Sequence, residues 1–413
     1  MESIEDWFGV CVITPQSYGI RLLRSWRYEV LFGRKRASEL CLLALCLLMS
    51  TGQAGCSSCA GQEDMESSML TSERHVQTSV GKPRQKRWQG VARGVAWDAD
   101  WSDRDSWYGT RKAKSQLDKL RTLNVDWIAV TPFAFQESVH RPELKFRPDW
   151  GKGLSQDIRQ AHFRGMKVMV KPHIWSNQFW DGSNHWRGTI SMESDEAWRV
   201  WFAGYTRWIV QAAAAAQAEG ADAFCVGLEY LESSRAHSDR WRAVIREVRR
   251  VFDGPLLYAA HPLEVDLPFW DDLDAIGVNA YYVMSDTRRP DIKQMKARWS
   301  KEAVALSALS AKYGKPVVFT EVGYASVDGT SMAPFRWPNG EDVEDQEEQA
   351  QCYQALFDAA TTWPWFGGMF IWKYKIGVPT NNPSERHYVF QGKAAEAVVR
   401  DGFGRVFVRE VED

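Results

Sequence analysis

The sequence predicts a (β/α)8 barrel, and three observations carry that prediction. From Val91 onward, short apolar runs alternate with longer stretches of helical periodicity, and eight such runs can be counted. The runs are continuously apolar rather than alternating, as expected of parallel strands covered on both faces. No glycine-rich phosphate turn follows the first run in VAWDADWSDRD, which disfavours the competing open, doubly wound sheet.

Taken in order, the chain opens on a segment that reads as an export signal over residues 1–59. Arg34, Lys35 and Arg36 form a positive region, and Leu40 to Met49 an apolar stretch too short to span a bilayer comfortably. Small residues lead to Gly55-Cys56, a pattern resembling a bacterial lipoprotein signal with Cys56 as the lipidated residue. Gln53 departs from that pattern, so plain secretory cleavage stays open, as does a buried apolar helix in a cytoplasmic protein. Residues 1–33 lengthen the signal oddly and fit a start codon placed too far upstream. Residues 60–88 are polar without apolar period and read as a flexible tether. A single catalytic domain is then expected over 89–413.

Its runs are RGVAW (93–97), VDWIAVTPF (125–133), KVMVKPHI (167–174) and DAFCVGLE (222–229), then PLLYAA (255–260), DAIGVNAYY (274–282), PVVFTE (316–321) and GMFIWKY (368–374). Helices are expected over 112–123, 154–164, 195–219, 238–252, 291–313 and 345–362, with a last one over 393–400. The connection after the fifth run is short, near 268–272.

Composition bounds the function. A net charge of −2 gives no basic field for nucleic acid. Five of the seven cysteines precede residue 60, and Cys56 and Cys59 stand alone as CSSC, so neither a disulfide scaffold nor a zinc site is indicated. The 21 tryptophans are unusual; such rings fill cores or stack on the apolar faces of ligand rings.

Chemistry in such a barrel gathers where the strands end. The ends read Trp97-Asp98, Thr131-Pro132-Phe133, Lys171-Pro172-His173 with Trp175 beyond, Glu229, His261, Asn279-Ala280-Tyr281-Tyr282, Glu321 and Trp372. Glu229 and Glu321 close the fourth and seventh runs. Across a small mouth, two such carboxyls can lie about 5–5.5 Å apart, the spacing of a retaining glycosidase. Close carboxylates cannot both ionise freely, so one is pushed toward the working pH and one mouth supplies both acid and base. The structural alternative is that each glutamate merely pairs with a neighbouring Arg or Lys.

The blocks MVKPHIW, FCVGLEY, FWDDLDAIGVNAYY, VVFTEVGYAS and GGMFIWKY, in this order, resemble glycoside hydrolase family 113, the β-mannanase-like family of clan A, from about Arg93 to about Arg400. The resemblance implies that Glu229 is the acid/base, Glu321 the nucleophile, the substrate β-1,4-mannan cut internally, and no metal or other cofactor needed. One position departs: much of the clan carries Asn before the acid/base, to hold the sugar 2-hydroxyl, and here it is Leu228. A lost 2-hydroxyl contact bears on which sugar fits beside the acid/base.

The remaining strand-end residues receive substrate-binding roles. Trp372 is the expected floor under the reacting sugar, or else a rim tryptophan. One of Tyr281 and Tyr282 faces the mouth and can keep the nucleophile ionised, and the other packs on a helix, because neighbours on a strand face opposite ways. Asn279 shares the face of Tyr281. Lys171 and His173 share a face and can bind hydroxyls, or Lys171 can neutralise Glu229. Trp97 and Asp98 are further candidates. Trp175, Trp180 and Trp186 lie in a loop too long and aromatic for a mere connector. Glu232 reads as solvated, Asp271, Asp272 and Asp274 as a connection, and His261 is ambiguous. The expected protein is an exported, monomeric retaining hydrolase acting on a polysaccharide. The alternatives are a hydrolase or transglycosylase on another β-glycan, and a surface lipoprotein that binds glycan without cutting it.

Overall fold

The structure, a computed structural model, describes residues 87–100, 103–147, 151–288, 290–378, 386–405 and 407. The expected export signal, Cys56 and all but the end of the tether lie outside them, as does the side chain of Trp180.

The strands, in chain order, are β1 (Ala92–Asp98), β2 (Trp127–Val130), β3 (Phe133–Gln136), β4 (Leu144–Phe146), β5 (Lys167–Val170), β6 (His173–Trp175), β7 (Ala223–Leu228), β8 (Leu256–Ala260), β9 (Ile276–Asn279), β10 (Val317–Val322) and β11 (Phe366–Lys375). Eight of them close a parallel barrel in the order β1-β11-β10-β9-β8-β7-β5-β2. The other three form a small sheet, β4-β3-β6. Two prolines explain it. The second and third runs read as continuous strands, but Pro132 and Pro172 lack the N–H that a barrel ladder needs. Each run therefore splits there, and the pieces beyond the prolines pair with each other, Phe133 opposite His173.

The helices are α1 (Arg111–Thr122), α2 (Lys152–Phe163), α3 (Asp195–Ala218), α4 (Leu231–Ala236), α5 (Ser238–Arg249), α6 (Ile292–Tyr313), α7 (Gln346–Ala360) and α8 (Ala394–Phe403). Their starts follow from side-chain caps: Thr110, Ser194, Asp291 and Asp345 each accept a backbone N–H of the first turn. Gly314, in the left-handed region, ends α6. α4 was not expected from the sequence; six residues are too few to show a period.

Strand alternation sends one set of side chains inward and the other to the helices. Ala92, Trp127, Ala129, Met169, Ala223, Leu257, Val318 and Phe370 form a cluster distinct from the large helix-facing core. Trp88 belongs to this inner cluster. Its indole N–H donates to Gly367 O at 2.9 Å and its ring stacks on Trp127 at 5.1 Å. The fold therefore takes in Trp88, which the sequence placed in the tether.

Where β1 meets β11 the two backbones touch. Gly368 has φ +113, and a Cβ there would lie 2.1 Å from Ala92 N. Gly368→Ala is expected to destabilise the barrel by at least about 2 kcal/mol, read as a lower urea midpoint with an unchanged m-value.

Candidate active site

β7 ends at Leu228, and Glu229 turns the chain with φ 53, a left-handed conformation that costs a residue with a Cβ about 1 kcal/mol or more. The surroundings impose it. Glu229 N donates to Ala259 O at 2.9 Å, and Tyr230 N donates to Tyr258 Oη at 2.9 Å. The Tyr230 ring stacks on Trp241 at 5.7 Å, and Trp201 meets both. The turn delivers the Glu229 carboxyl to the mouth at 8 % exposure. Burial and the neighbouring Glu321 raise its pKa, while Arg187, Asn279 and Lys171 oppose the rise. Arg187 Nη1 stands 3.7 Å from Glu229 Oε2.

Glu321 lies within β10, 6 % exposed. The pairing of β10 with β9 slips between Phe319 and Glu321, an irregularity that re-aims side chains, and Ala280 N holds Glu321 O at 2.6 Å. Its Oε1 forms a buried ion pair with Lys171 Nζ, which also donates to Thr320 O at 3.3 Å. Its Oε2 accepts from Tyr281 Oη at 3.0 Å.

The small sheet places the cation. Lys171 N donates to Val130 O and His173 N to Pro132 O, both at 2.9 Å, so the chain between β5 and β6 is pinned over the barrel rim. His173 is buried, and that burial, with Arg187 and Lys171 nearby, holds its pKa well below the ordinary value. Arg187 Nη2 reaches His173 Nδ1 at 3.2 Å. A guanidinium only donates, so Nδ1 accepts and the proton sits on Nε2. That Nε2–H lies 3.8 Å from Glu321 Oε1.

Asn279 completes the group. Thr320 Oγ1 donates to its Oδ1 at 2.9 Å, which fixes the amide and turns Nδ2 away. That nitrogen, buried, has no hydrogen bond of ordinary geometry, yet the amide favours the ionised form of Glu229. Trp372 is half-buried and stacks on His173 at 6.2 Å and 9°, with Lys171 Nζ 5.4 Å from its ring centroid. Two carboxyls on the fourth and seventh barrel strands thus share one mouth with cations, fixed donors and an aromatic wall.

The Glycoside Hydrolase Family 113 model matches residues 95–393. The chain belongs to this family. It is 27 % identical to the family 113 β-mannanase of Alicyclobacillus acidocaldarius, solved in complex with ManMIm, with a TM-score of 0.66 over 76 % of this chain and 98 % of that one. It is 25 % identical to a family 113 β-1,4-mannanase solved as a complex, again with a TM-score of 0.66, over 76 % of this chain and 99 % of that one. A β-glucuronidase from Faecalibacterium prausnitzii, 12 % identical with a TM-score of 0.52 over 76 % of this chain and 49 % of that one, shares the fold. Comparison with curated proteins returned no match. This chain is a glycoside hydrolase, and its substrates are glycans.

Around this mouth stand Glu229, Glu321, Lys171, His173, Asn279, Tyr281 and Trp372. Lys171 pairs with Glu321 rather than Glu229, and its bonds to Glu321 and Thr320 O make it a counter-ion instead of a hydroxyl ligand. Tyr282 packs edge-on against Trp299 of α6. Trp97 is elsewhere: its side chain faces the helices, its indole donates to Asp157 of α2 at 2.8 Å, and its ring stacks on Tyr374. The substrate-binding role expected for it is replaced by a packing one, because strand alternation at its position points outward. Asp98 pairs with Lys373 at 2.6 Å. Trp175 sets its edge on Phe133 and Phe179, and Trp186 lies against His261 at 4.9 Å. Leu228 is buried in the helix-facing core. Arg187 was missed by a reading confined to strand ends; the signal was a cation beside Trp186 in the long loop.

For a cation, the described residues offer Asp328, Asp345 and Glu348, with ligand oxygens within 4.8 Å of one another. Asp328 and Asp345 lie between β10 and α7, Glu348 lies in the first turn of α7, and each already has a protein partner, although Asp328 Oδ1 is buried with none of its own. Glu348 accepts from Gly329 N and Ser331 N, Asp345 from Glu348 N, and Asp328 pairs with Arg288.

Beneath Glu229 sits another carboxyl. Glu264 accepts from Ser234 Oγ of α4 at 2.8 Å and from His261 N at 3.1 Å, so it ties the segment after β7 to the segment after β8. Burial pushes its pKa from 4.5 to about 8. Between those values the unfolded chain is ionised while the folded one stays protonated, so this group lowers stability as pH rises through the window. Glu264→Gln is expected to remove that dependence. The stability difference between variant and native protein, measured by urea unfolding, should grow in the variant's favour from pH 5 to pH 8.

Proposed function

We propose that this hydrolase cleaves β-1,4-mannan-type polysaccharide with retention of anomeric configuration, Glu321 acting as nucleophile and Glu229 as acid/base. One observation carries the assignment: the two carboxyls share a mouth but have unlike surroundings. Glu321 has an ammonium on one oxygen and a donating phenol hydroxyl on the other, which together fix its carboxyl group at the mouth. Glu229 has burial and a negative neighbour, which favour the neutral acid. The family 113 relatives, described as β-1,4-mannanases, support the choice of glycan.

In the first step Glu321 attacks the anomeric carbon. The glycosidic C–O bond breaks, and its oxygen takes the proton of Glu229. The resulting glycosyl ester is then attacked by water, whose proton passes to the Glu229 carboxylate, and the ester oxygen returns to Glu321 as a carboxylate. Trp372, partly exposed and stacked with the buried His173 ring, offers a wall on which the reacting sugar can rest its apolar face. Asn279 Nδ2 and His173 Nε2 are buried donors without ordinary partners, suited to hydroxyls beside the anomeric carbon now that Leu228 offers none. We also propose that the enzyme acts outside the cytoplasm; the support is the basic and apolar sequence ahead of Gly55-Cys56.

The native protein should release reducing ends from mannan, and NMR of the first product should show the β-anomer. Glu321→Gln should lower turnover on the order of 10⁴-fold or more while calorimetry still detects bound mannooligosaccharide. Native-like turnover in that variant would remove Glu321 from its role.

Arg187 sets where the acid titrates. Its charge favours the Glu229 carboxylate, so Arg187→Gln should raise the Glu229 pKa and move the basic limb of the kcat/KM profile to higher pH. Arg187→Lys should leave that limb near its original place. An unmoved limb in Arg187→Gln would separate Arg187 from the acid's titration.

A further inference from the structure

Between β10 and α7 runs a long connection, and its middle, Pro334-Phe335-Arg336-Trp337-Pro338, carries two exposed rings. Phe335 is 58 % exposed and Trp337 38 %. Neither sits on a loose loop. Tyr388 Oη donates to Pro334 O at 2.7 Å and to Arg336 O at 3.1 Å. Arg336 grips Asp342 through two bonds of 2.9 and 2.7 Å, and Asn339 N donates to the same carboxylate at 2.7 Å. Long loops without secondary structure that are held this firmly are usually functional. Rings kept exposed by a rigid frame lose little entropy on meeting a ligand.

The frame leads to the reacting carboxylate. Trp337 meets Tyr388 edge-on at 5.2 Å, Tyr388 meets Tyr281 at 6.2 Å, and Tyr281 donates to Glu321. A second link runs through Lys373, whose ammonium lies 5.6 Å from the centroids of both the Trp337 and the Trp372 rings. Its pair with Asp98 holds it there. Trp337 is thus continuous with the wall of the mouth, on the Glu321 side. Arg187 and Trp186 stand on the Glu229 side.

We propose that Trp337, with Phe335 beside it, is the platform of a further glycan subsite that stacks a pyranose unit on the glycone side of the scissile bond. This rests on the reading of Glu229 as leaving-group acid. The acid marks the aglycone side, so a platform reached through Tyr281 and Tyr388 serves the other half of the chain. The chemistry is that of a flat indole against the C–H face of a sugar ring, which accepts any β-linked hexose whose axial hydroxyls leave that face open. Stacking of this kind needs no hydrogen bond and so adds affinity for chain length more than for sugar identity.

The test compares full-length protein with Trp337→Ala and Trp337→Phe. On mannohexaose, Trp337→Ala should lose about tenfold in kcat/KM, mainly through KM. On mannobiose, which does not extend to the platform, the loss should be several-fold smaller, and Trp337→Phe should fall between. Equal loss at both lengths, or none at either, overturns the proposal. If Trp337→Ala does not fold, Trp337→Phe, which keeps a ring against Tyr388, carries the same comparison. Calorimetry in a Glu321→Gln background with mannohexaose and cellohexaose separates this proposal from the one beneath it. Weaker hexasaccharide binding on loss of Trp337 supports the platform even if only the gluco-chain binds and mannan is not the substrate. Unchanged binding of whichever hexasaccharide binds refutes the platform while leaving the mannan reading intact.

Discussion

Two carboxylates with less than a tenth of their surface in solvent cannot share one mouth unless other groups balance their charge. The site is organised around that constraint. Lys171 neutralises Glu321 outright and is itself fully buried, so the two depend on each other. Arg187 stays at 3.7 Å from Glu229, near enough to bias its proton but too far to hold it. The difference between a tight pair and a loose one gives two chemically identical side chains unlike surroundings. His173 lies between them, accepting from Arg187 and presenting its remaining N–H toward Glu321, so the two halves of the mouth are coupled through a single neutral ring.

Behind Glu229 the constraint is steric. A residue with a Cβ at φ 53 persists only where its surroundings over-determine it. Here a block of aromatic rings does so. Tyr230 stacks on Trp241, Trp201 on Tyr205, and Tyr258 sets its edge on Trp241 and Phe269. Gly227 is small because a Cβ there would meet Trp241 and Tyr258 at 2.8 Å. Much of the tryptophan content therefore lies between the barrel and its helices. Phe335 and Trp337 differ in keeping part of their rings in solvent on a braced segment.

The barrel was legible in the sequence because strands covered on both sides leave unbroken apolar runs, and the helices because their caps stand at their starts. The two glutamates were legible for the same reason: a charge at the end of an apolar run is conspicuous. What stayed hidden has definite causes. Position along a strand does not say which way a side chain points, and Trp97 was misread on that account. Counting the alternation forward from the inward Ala92 would have sent it to the helices. Pro132 and Pro172 were visible, but their effect depended on two segments far apart in sequence finding each other as β3 and β6. Arg187 and Trp337 sit on loops, where no period reports orientation, and only the folded neighbours reveal what they touch. Trp88 carried a faint signal, a lone indole at the end of a polar stretch.

Lys171 and Glu321 stand 150 positions apart, the first just past the third barrel strand and the second on the seventh. Neither buried charge is tolerated at the rim without the other, so loss of either side chain leaves an uncompensated ion there. A disturbance in one of these segments is therefore felt at a point 150 positions away along the chain.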